Sequence, residues 1–190
     1  KDHFNQFHAM DYLAYAYLQG AQDREAKRVL DEIRSVGKVN VEHFGSAYAL
    51  AAIPSRYVLE RGRWADAAGL TLSPSEFPWS RFPQSEAVLV FARGLGAARS
   101  GDVAGARRDL SRLEPLGAAL TAAKQGYWAE QVDIQGRVVS AWIARAEGKS
   151  VASAHIRHLN PFPANLGELL ENYRHVLVPE LNTGNLVWML

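Results

Sequence analysis

Apolar residues along the first three quarters of the chain recur at the three- and four-residue spacing of amphipathic helices. The first apolar stripe consists of Phe7, Met10, Ala14 and Tyr17, and the second consists of Ala26, Val29, Leu30 and Ile33. Gly20 separates the two stripes, Asp23 is placed to cap the second helix, and Gly37 follows that helix as a terminating glycine. The pattern therefore predicts a helical hairpin with a short connection.

The same two-helix pattern continues down the chain. Asn40 and Asp102 are placed as further helix caps. Pro54 lies inside a predicted helix and is expected to kink or divide it, because proline lacks an N–H and crowds the preceding turn. Pro115 and Gly117 are expected to end another helix. The predicted helical segments are residues 40–60, 64–72, 86–99, 103–113 and 118–146.

Small residues recur at the same place in each returning helix. Ala26, Ala67 and Ala106 are separated by 41 and 39 residues, a spacing that indicates a solenoid of stacked helix pairs. A proline-rich strap, residues 73–83, lengthens one connection between pairs. Its three aromatic residues, which are expected to pin it to the solenoid, are Phe77, Trp79 and Phe82.

Composition and charge argue against several classes of function. The 190 residues carry a net charge of only +1, which argues against a nucleic-acid partner. The cluster of Arg107, Arg108 and Arg112 is interrupted by acidic residues and is interpreted as a solvated helix face. No apolar run is long enough for a membrane span, and no cysteine is present to form a disulfide, a thiol nucleophile or a cluster ligand. We expect a cytoplasmic protein without a membrane partner.

No reaction centre can be recognised in the residue patterns. His155 and His158 would share a helix face, but no carboxylate at helical spacing completes a metal site. Neither a glycine-rich phosphate loop nor a nucleophile elbow is present. The sequence therefore predicts no catalytic residue, no metal and no bound cofactor, and it favours a protein that is not an enzyme.

Residues 7–148 resemble tetratricopeptide-repeat proteins. The first hairpin matches that family's positions with Met10, Leu13, Ala14, Tyr17, Ala26 and Leu30, and the third pair matches with Gly94, Gly101, Ala106 and Leu110. Arg93 replaces a usual Leu, Pro54 and Ser55 depart from the pattern, and the spacing exceeds the family's usual repeat. The resemblance implies a mainly α fold, an α-α superhelix of helical hairpins over residues 1–148, which acts as an interaction scaffold.

The resemblance also implies a concave groove that is lined by the outgoing helices. Transferring the family's groove positions residue by residue selects His8, Asp11, Tyr15, Gln19, Arg56, Glu60, Phe91, Leu95, Arg99, Gln135, Trp142 and Arg145. A mixed aromatic and charged lining suits a protein or peptide partner. In the alternative interpretation, Tyr15, Phe91 and Trp142 belong to the core between helices. Self-association through the solenoid ends is a further alternative, because no polar capping helix is evident.

The pattern changes after residue 148, and residues 149–190 are predicted to form a separate appendage. If the solenoid continues, residues 151–159 form the returning helix of a fourth pair. Alternatively, residues 151–159 and 175–178 are strands of a partial α/β unit, with helices at 166–173 and 184–190. In that case Asn165 and Glu168 form a motif like a capping box at the start of the helix at 166–173.

The amino-acid sequence of this tail resembles that of the α-subunit of 2-oxoacid:acceptor oxidoreductases, particularly the 2-oxoglutarate type. The matching segments are residues 157–163, 165–168 and 176–182. Such enzymes use thiamine diphosphate, iron–sulfur clusters and CoA, but this chain lacks cysteine and has no recognisable diphosphate-binding segment. No catalytic residue is therefore transferred. The main functional hypothesis is a non-catalytic helical-repeat scaffold, and the alternative is a structural fragment of a 2-oxoglutarate:ferredoxin oxidoreductase α-subunit.

Overall fold

The computed structural model describes residues 3–150 and 162–174, together with residues 152, 156, 176 and 178. The chain divides into two compact units, 1–149 and 150–190. The first unit contains seven of the described α-helices and one 3₁₀ turn. They are α1 (His3–Gln19), α2 (Asp23–Arg34), α3 (Phe44–Glu60), α4 (Trp64–Ala68), the 3₁₀ turn (Trp79–Arg81), α5 (Pro83–Arg99), α6 (Val103–Ala122) and α7 (Gly126–Ala146).

The second unit has one described helix, α8 (Leu166–Glu171), in which Leu166 is buried. The described part of the chain contains no strand, so the prediction of a mainly α protein is confirmed. Most of the segments 151–159 and 175–178, for which a helix or strands were predicted, lie outside the described residues. The predicted last helix at 184–190 and the residues His155 and His158 lie wholly outside them. The superhelical arrangement and the domain boundary after residue 148 stay predictions.

The helices of the first unit pack mainly against near neighbours along the chain. The outgoing helices contact one another in sequence, α1 with α3, α3 with α5 and α5 with α7, while α2, α4 and α6 pack against their neighbours along the chain. Ala26, Ala67 and Ala106, the small residues of the returning helices, are at most 1% exposed. Small side chains at these positions let the paired helices approach closely.

Two apolar cores hold these helices together, and α5 contributes to both. The first core lies among α1, α2, α3 and the strap, and it includes Leu89 of α5. The second lies among α5, α6 and α7, and it includes Val90 of α5. Phe77, Trp79 and Phe82 are buried in the first core, and the Trp79 indole N–H donates a 3.0 Å hydrogen bond to the Pro74 carbonyl. The prediction that aromatic residues pin the strap is confirmed.

Several predicted helix starts are wrong. Helix α3 begins at Phe44 rather than near Asn40, because the His43 imidazole caps it by accepting a 3.1 Å hydrogen bond from the Gly45 N–H. Asp23 is the first residue of α2 rather than its cap. Helix α5 begins at Pro83, whose fixed φ suits the first helical position. The Asn165 side chain makes no capping hydrogen bond to α8.

Several predicted helix ends also differ. Helix α4 stops at Ala68, where Gly69 follows, instead of reaching residue 72, and α2 stops at Arg34, before Gly37. Helix α6 continues through Pro115 to Ala122, so α7 begins only at Gly126. The cap prediction at Asp102 is confirmed, because its carboxylate accepts a 2.8 Å hydrogen bond from the Gly105 N–H.

Candidate binding face on α1, α3 and α7

We call six aromatic residues of α1, α3 and α7 the aromatic face. Its members are Tyr12 and Tyr15 of α1, Phe44 and Tyr48 of α3, and Tyr127 and Trp128 of α7. The Trp128 ring centroid lies 5.5 Å from that of Phe44, 6.0 Å from that of Tyr48 and 5.1 Å from that of Tyr127. These separations are those of directly interacting aromatic pairs.

The aromatic face contains half-buried and exposed rings. Phe44, Tyr48 and Trp128 are half-buried, whereas Tyr12, Tyr15 and Tyr127 are 64%, 51% and 56% exposed. Phe44 and Tyr48 lie four residues apart, which places them on one side of α3. The start of α7 therefore meets the start of α3 through its aromatic side chains.

A polar pair lies beside these rings. The Arg56 Nη1 donates a 2.6 Å hydrogen bond to the Asp11 Oδ1, and the Arg56 guanidinium lies 5.7 Å from the Tyr15 ring centroid. Both side chains of the ion pair are about one-fifth exposed, at 22% for Arg56 and 18% for Asp11. The pair joins α1 to α3 and leaves part of each charged group accessible to a ligand.

The electrostatics of the aromatic face keep Tyr48 protonated. Burial raises the pKa of the Tyr48 hydroxyl above its ordinary value of 10.0, and the nearby Asp11 carboxylate raises it further, against the opposing effect of Arg56. The Tyr48 hydroxyl is therefore a neutral hydrogen-bond donor at physiological pH. A buried phenol of this kind suits recognition of a carbonyl oxygen.

A second cluster of rings lies near the carboxyl ends of α5 and α7. The Arg99 guanidinium lies between two indoles, 3.8 Å from the Trp64 ring centroid and 4.1 Å from that of Trp142. Arg145 approaches the same Trp142 ring at 5.6 Å. Partial burial, reinforced by the positive charge of Arg145, lowers the pKa of Arg99 from its ordinary value. This stack ties α5 and α7 to the start of α4.

The structure brings the predicted groove residues together in three separate groups. Asp11, Tyr15 and Arg56 form the first, at the aromatic face. Gln19 and Glu60 form the second, joined by a 3.1 Å hydrogen bond from the Gln19 side-chain amide. Arg99, Trp142 and Arg145 form the third.

The remaining predicted residues are spread along the same helices. Phe91 is half-buried against the second core, and Leu95 is buried in it. His8 packs edge-on against Tyr12, with ring centroids 5.0 Å apart. Gln135 is half-buried on α7, and its Oε1 accepts no hydrogen bond within the described part of the chain. The interpretation as core therefore suits Phe91 and Trp142, which both pack against the second core, whereas Tyr15 is 51% exposed.

Most residues of the aromatic face were not predicted from the sequence. Phe44, Tyr48, Tyr127 and Trp128 were absent from the predicted groove, although a signal for the first two was present in their four-residue spacing. Tyr127 and Trp128 were assigned to the middle of a long helix. Because α7 actually begins at Gly126, they lie in its first turn, where they reach α3.

The described residues show no metal centre and no membrane span. No group of three or more His, Asp or Glu side chains among them could hold a metal ion. None of the helices in the described ranges is both long and apolar enough to cross a bilayer.

Comparison with known proteins gives one partial similarity. No family model matches the chain, and no solved structure matches it. A segment of 47 residues is 60% identical to the 2-oxoglutarate oxidoreductase subunit KorA of Mycobacterium tuberculosis. This similarity supports the oxidoreductase-like prediction for the tail. The matched segment covers 25% of this chain and only 7% of that protein, so the chain spans a small part of the relative's length. The tetratricopeptide-repeat resemblance is not shown by these comparisons.

Proposed function

We propose that the first unit is a non-catalytic binding module that holds an extended peptide segment of a partner protein on the aromatic face. The observation that carries this proposal is the exposure of Tyr12, Tyr15 and Tyr127 on the helices that also carry the half-buried rings of Phe44, Tyr48 and Trp128. Exposed aromatic patches with polar neighbours are typical of protein interaction sites. Tyrosine offers a large contact area at little cost in side-chain entropy.

The polar groups of the aromatic face suit a peptide backbone. The Tyr48 hydroxyl is a neutral donor, and Asp11 and Arg56 keep part of their surface accessible beside it. Extended peptides present carbonyl oxygens at regular intervals, and polyproline II segments in particular dock on aromatic-lined surfaces. The proposed ligand is therefore an extended segment whose side chains pack between the tyrosine rings.

Selection from a random peptide library displayed on phage tests this proposal with the full chain as bait. We expect Tyr15→Ala and Tyr127→Ala each to weaken the selected peptides by about tenfold or more, as for anchoring residues at an interface. Fluorescence polarisation of labelled peptides measures the dissociation constants. Tyr173→Ala is the matched control, because Tyr173 is 45% exposed and belongs to the other unit.

Two results would contradict the proposal. One is that no peptide is enriched on the full chain over an unrelated helical protein. The other is that selected peptides bind Tyr15→Ala and Tyr127→Ala as tightly as the unchanged chain. Circular dichroism of each variant shows that the fold is intact, which is expected because both side chains are more than half exposed.

A second candidate function rests on the partial similarity to the oxidoreductase subunit. We propose that the tail is a structural part of such a subunit, without a catalytic residue of its own. The resemblance implies that the whole enzyme binds thiamine diphosphate. Binding of this cofactor by the chain therefore distinguishes an enzymatic role from a structural one. We expect isothermal titration calorimetry of the full chain with thiamine diphosphate and Mg²⁺ to show no saturable binding. Saturable binding would contradict a non-catalytic chain.

A further inference from the structure

A cleft of approximately 420 Å³ lies between α5 and α6, with the end of α4 as a third wall. We call it the charged cleft. The α5 positions that line it are Glu86, Val90, Arg93 and Ala97. A helix turns by about 100° per residue, so these positions face away from Phe91, Leu95 and Arg99 on the other side of α5. None of the lining residues of the charged cleft belongs to the aromatic face, so the two are separate surfaces.

Two buried carboxylates in the cleft are already neutralised. Arg93 binds Asp109 through two nitrogens, with Nε 2.9 Å and Nη2 2.6 Å from Oδ1. The Arg112 Nε donates a 2.7 Å hydrogen bond to the Glu86 Oε1. Asp109 and Glu86 are each 6% exposed. The hydrogen bond to Asp109 raises the pKa of Arg93 above its ordinary value.

Besides Arg93 and Arg112, which form these ion pairs, the cleft has one further basic residue among its lining, Arg108. It lines the cleft from α6, its side chain is exposed, and no acidic group pairs with it among the residues that the structure describes. Asp102, the remaining carboxylate of the lining, caps α6 through the Gly105 N–H. Residues four apart on a helix have Cβ atoms about 5–6 Å apart, so Arg108 lies one turn from Arg112 on the same side of α6.

We propose that the charged cleft binds a small organic oxyanion, a carboxylate or a phosphate, between Arg108 and the outer N–H groups of Arg112. A guanidinium presents paired donors that match both oxyanions. Val90 and Leu72 supply apolar wall for the body of the ligand. The volume lies within the range of about 300–1,000 Å³ that is usual for small-molecule sites. Glu86 and Asp109 repel the ligand little, because each already faces a guanidinium.

Calorimetric titration of the full chain with inorganic phosphate and with succinate, at constant ionic strength in chloride, tests this site. We expect saturable binding of at least one of them. Binding of phosphate alone assigns a phosphate ligand, and binding of succinate alone assigns a carboxylate ligand. Arg108→Gln should weaken the affinity by about tenfold or more, the loss expected when one charge-assisted group is removed.

Arg107→Gln is the matched control. Arg107 has the same charge on the same helix, but it pairs with Glu147 and does not line the cleft. Its replacement should leave the affinity unchanged, as should Tyr15→Ala at the aromatic face. Failure of both anions to bind saturably would overturn the proposal. An equal loss in Arg107→Gln and Arg108→Gln would also overturn it, because the anion would then respond only to diffuse positive charge.

Discussion

Arg93 shows how one unexpected residue is explained by a distant partner. The repeat resemblance places a Leu at this position, but Arg93 projects from α5 and binds the buried carboxylate of Asp109 on α6. A buried ion pair contributes little net stability over an apolar pair, but removing one partner leaves an uncompensated charge. The residue at position 93 is therefore constrained by the residue at position 109.

We expect Arg93→Leu to lower the free energy of unfolding by about 3 kcal/mol, because it leaves the Asp109 carboxylate buried without a partner. Urea denaturation at neutral pH measures this loss. The double variant Arg93→Leu, Asp109→Leu should recover most of it, since apolar side chains can replace both charges.

Arg28→Leu is the control, because the Arg28 side chain is 72% exposed in its ion pair with Glu25. We expect an effect of less than about 1 kcal/mol there. Equal losses in Arg93→Leu and Arg28→Leu would refute the role given to the buried carboxylate.

At the level of single residues, the sequence predicts burial better than pairing. The predicted apolar stripe of α2 is buried, and it consists of Ala26, Val29, Leu30 and Ile33. Asp109 was assigned to a solvated helix face, since its partner Arg93 lies 16 residues earlier on another helix. The spacing of residues along one helix does not reveal an ion pair between two helices. The same limit explains why Trp128 was not connected with Phe44.

At the level of the elements, the length of each helix depends more on tertiary packing than on prolines within it. Helix α3 runs unbroken through Pro54, and the Ser55 hydroxyl donates a 2.7 Å hydrogen bond to the Ala51 carbonyl in the turn that the proline crowds. Helix α6 runs through Pro115 because its apolar stripe continues into the second core with Leu116 and Leu120. Burial offsets the cost of about 3 kcal/mol that an interior proline imposes.

Close contact between α4 and α5 depends on Gly96. A Cβ atom at this position would lie 2.5 Å from the Ala67 Cβ and 2.6 Å from the Trp64 carbonyl oxygen. We expect Gly96→Ala to lower the free energy of unfolding by about 1–3 kcal/mol, the usual cost of overpacking, despite the better helix propensity of alanine. Thermal denaturation followed by circular dichroism measures the change.

Gly37→Ala provides the comparison for Gly96→Ala. No atom lies within 4 Å of a Cβ built at Gly37, so stability should change little there. A Gly96→Ala variant as stable as the unchanged chain would show that α4 and α5 can separate without cost.

For the whole molecule, the composition and the helical period of the apolar residues predict the mainly α class. The helix contacts follow the order of the helices along the chain, since consecutive elements usually lie side by side. The arrangement of the surfaces could not be predicted in the same way. It depends on where α7 starts, which brings Tyr127 and Trp128 to α3, and on which side of α5 each charged residue faces. In the tail, the resemblance to an oxidoreductase subunit was readable because its segments match nearly continuously, and the partial similarity supports it.

Helix α5 forms a shared wall within the first unit. Twelve of its 17 residues are buried, and it supplies side chains to both apolar cores. One side of this wall borders the charged cleft, and the other supports the helices that carry the aromatic rings. A small displacement of the wall by an occupant on one side would alter the fit on the other side. Thermodynamic linkage makes any such influence reciprocal: if the anion tightened peptide binding by some factor, the peptide would tighten anion binding by the same factor.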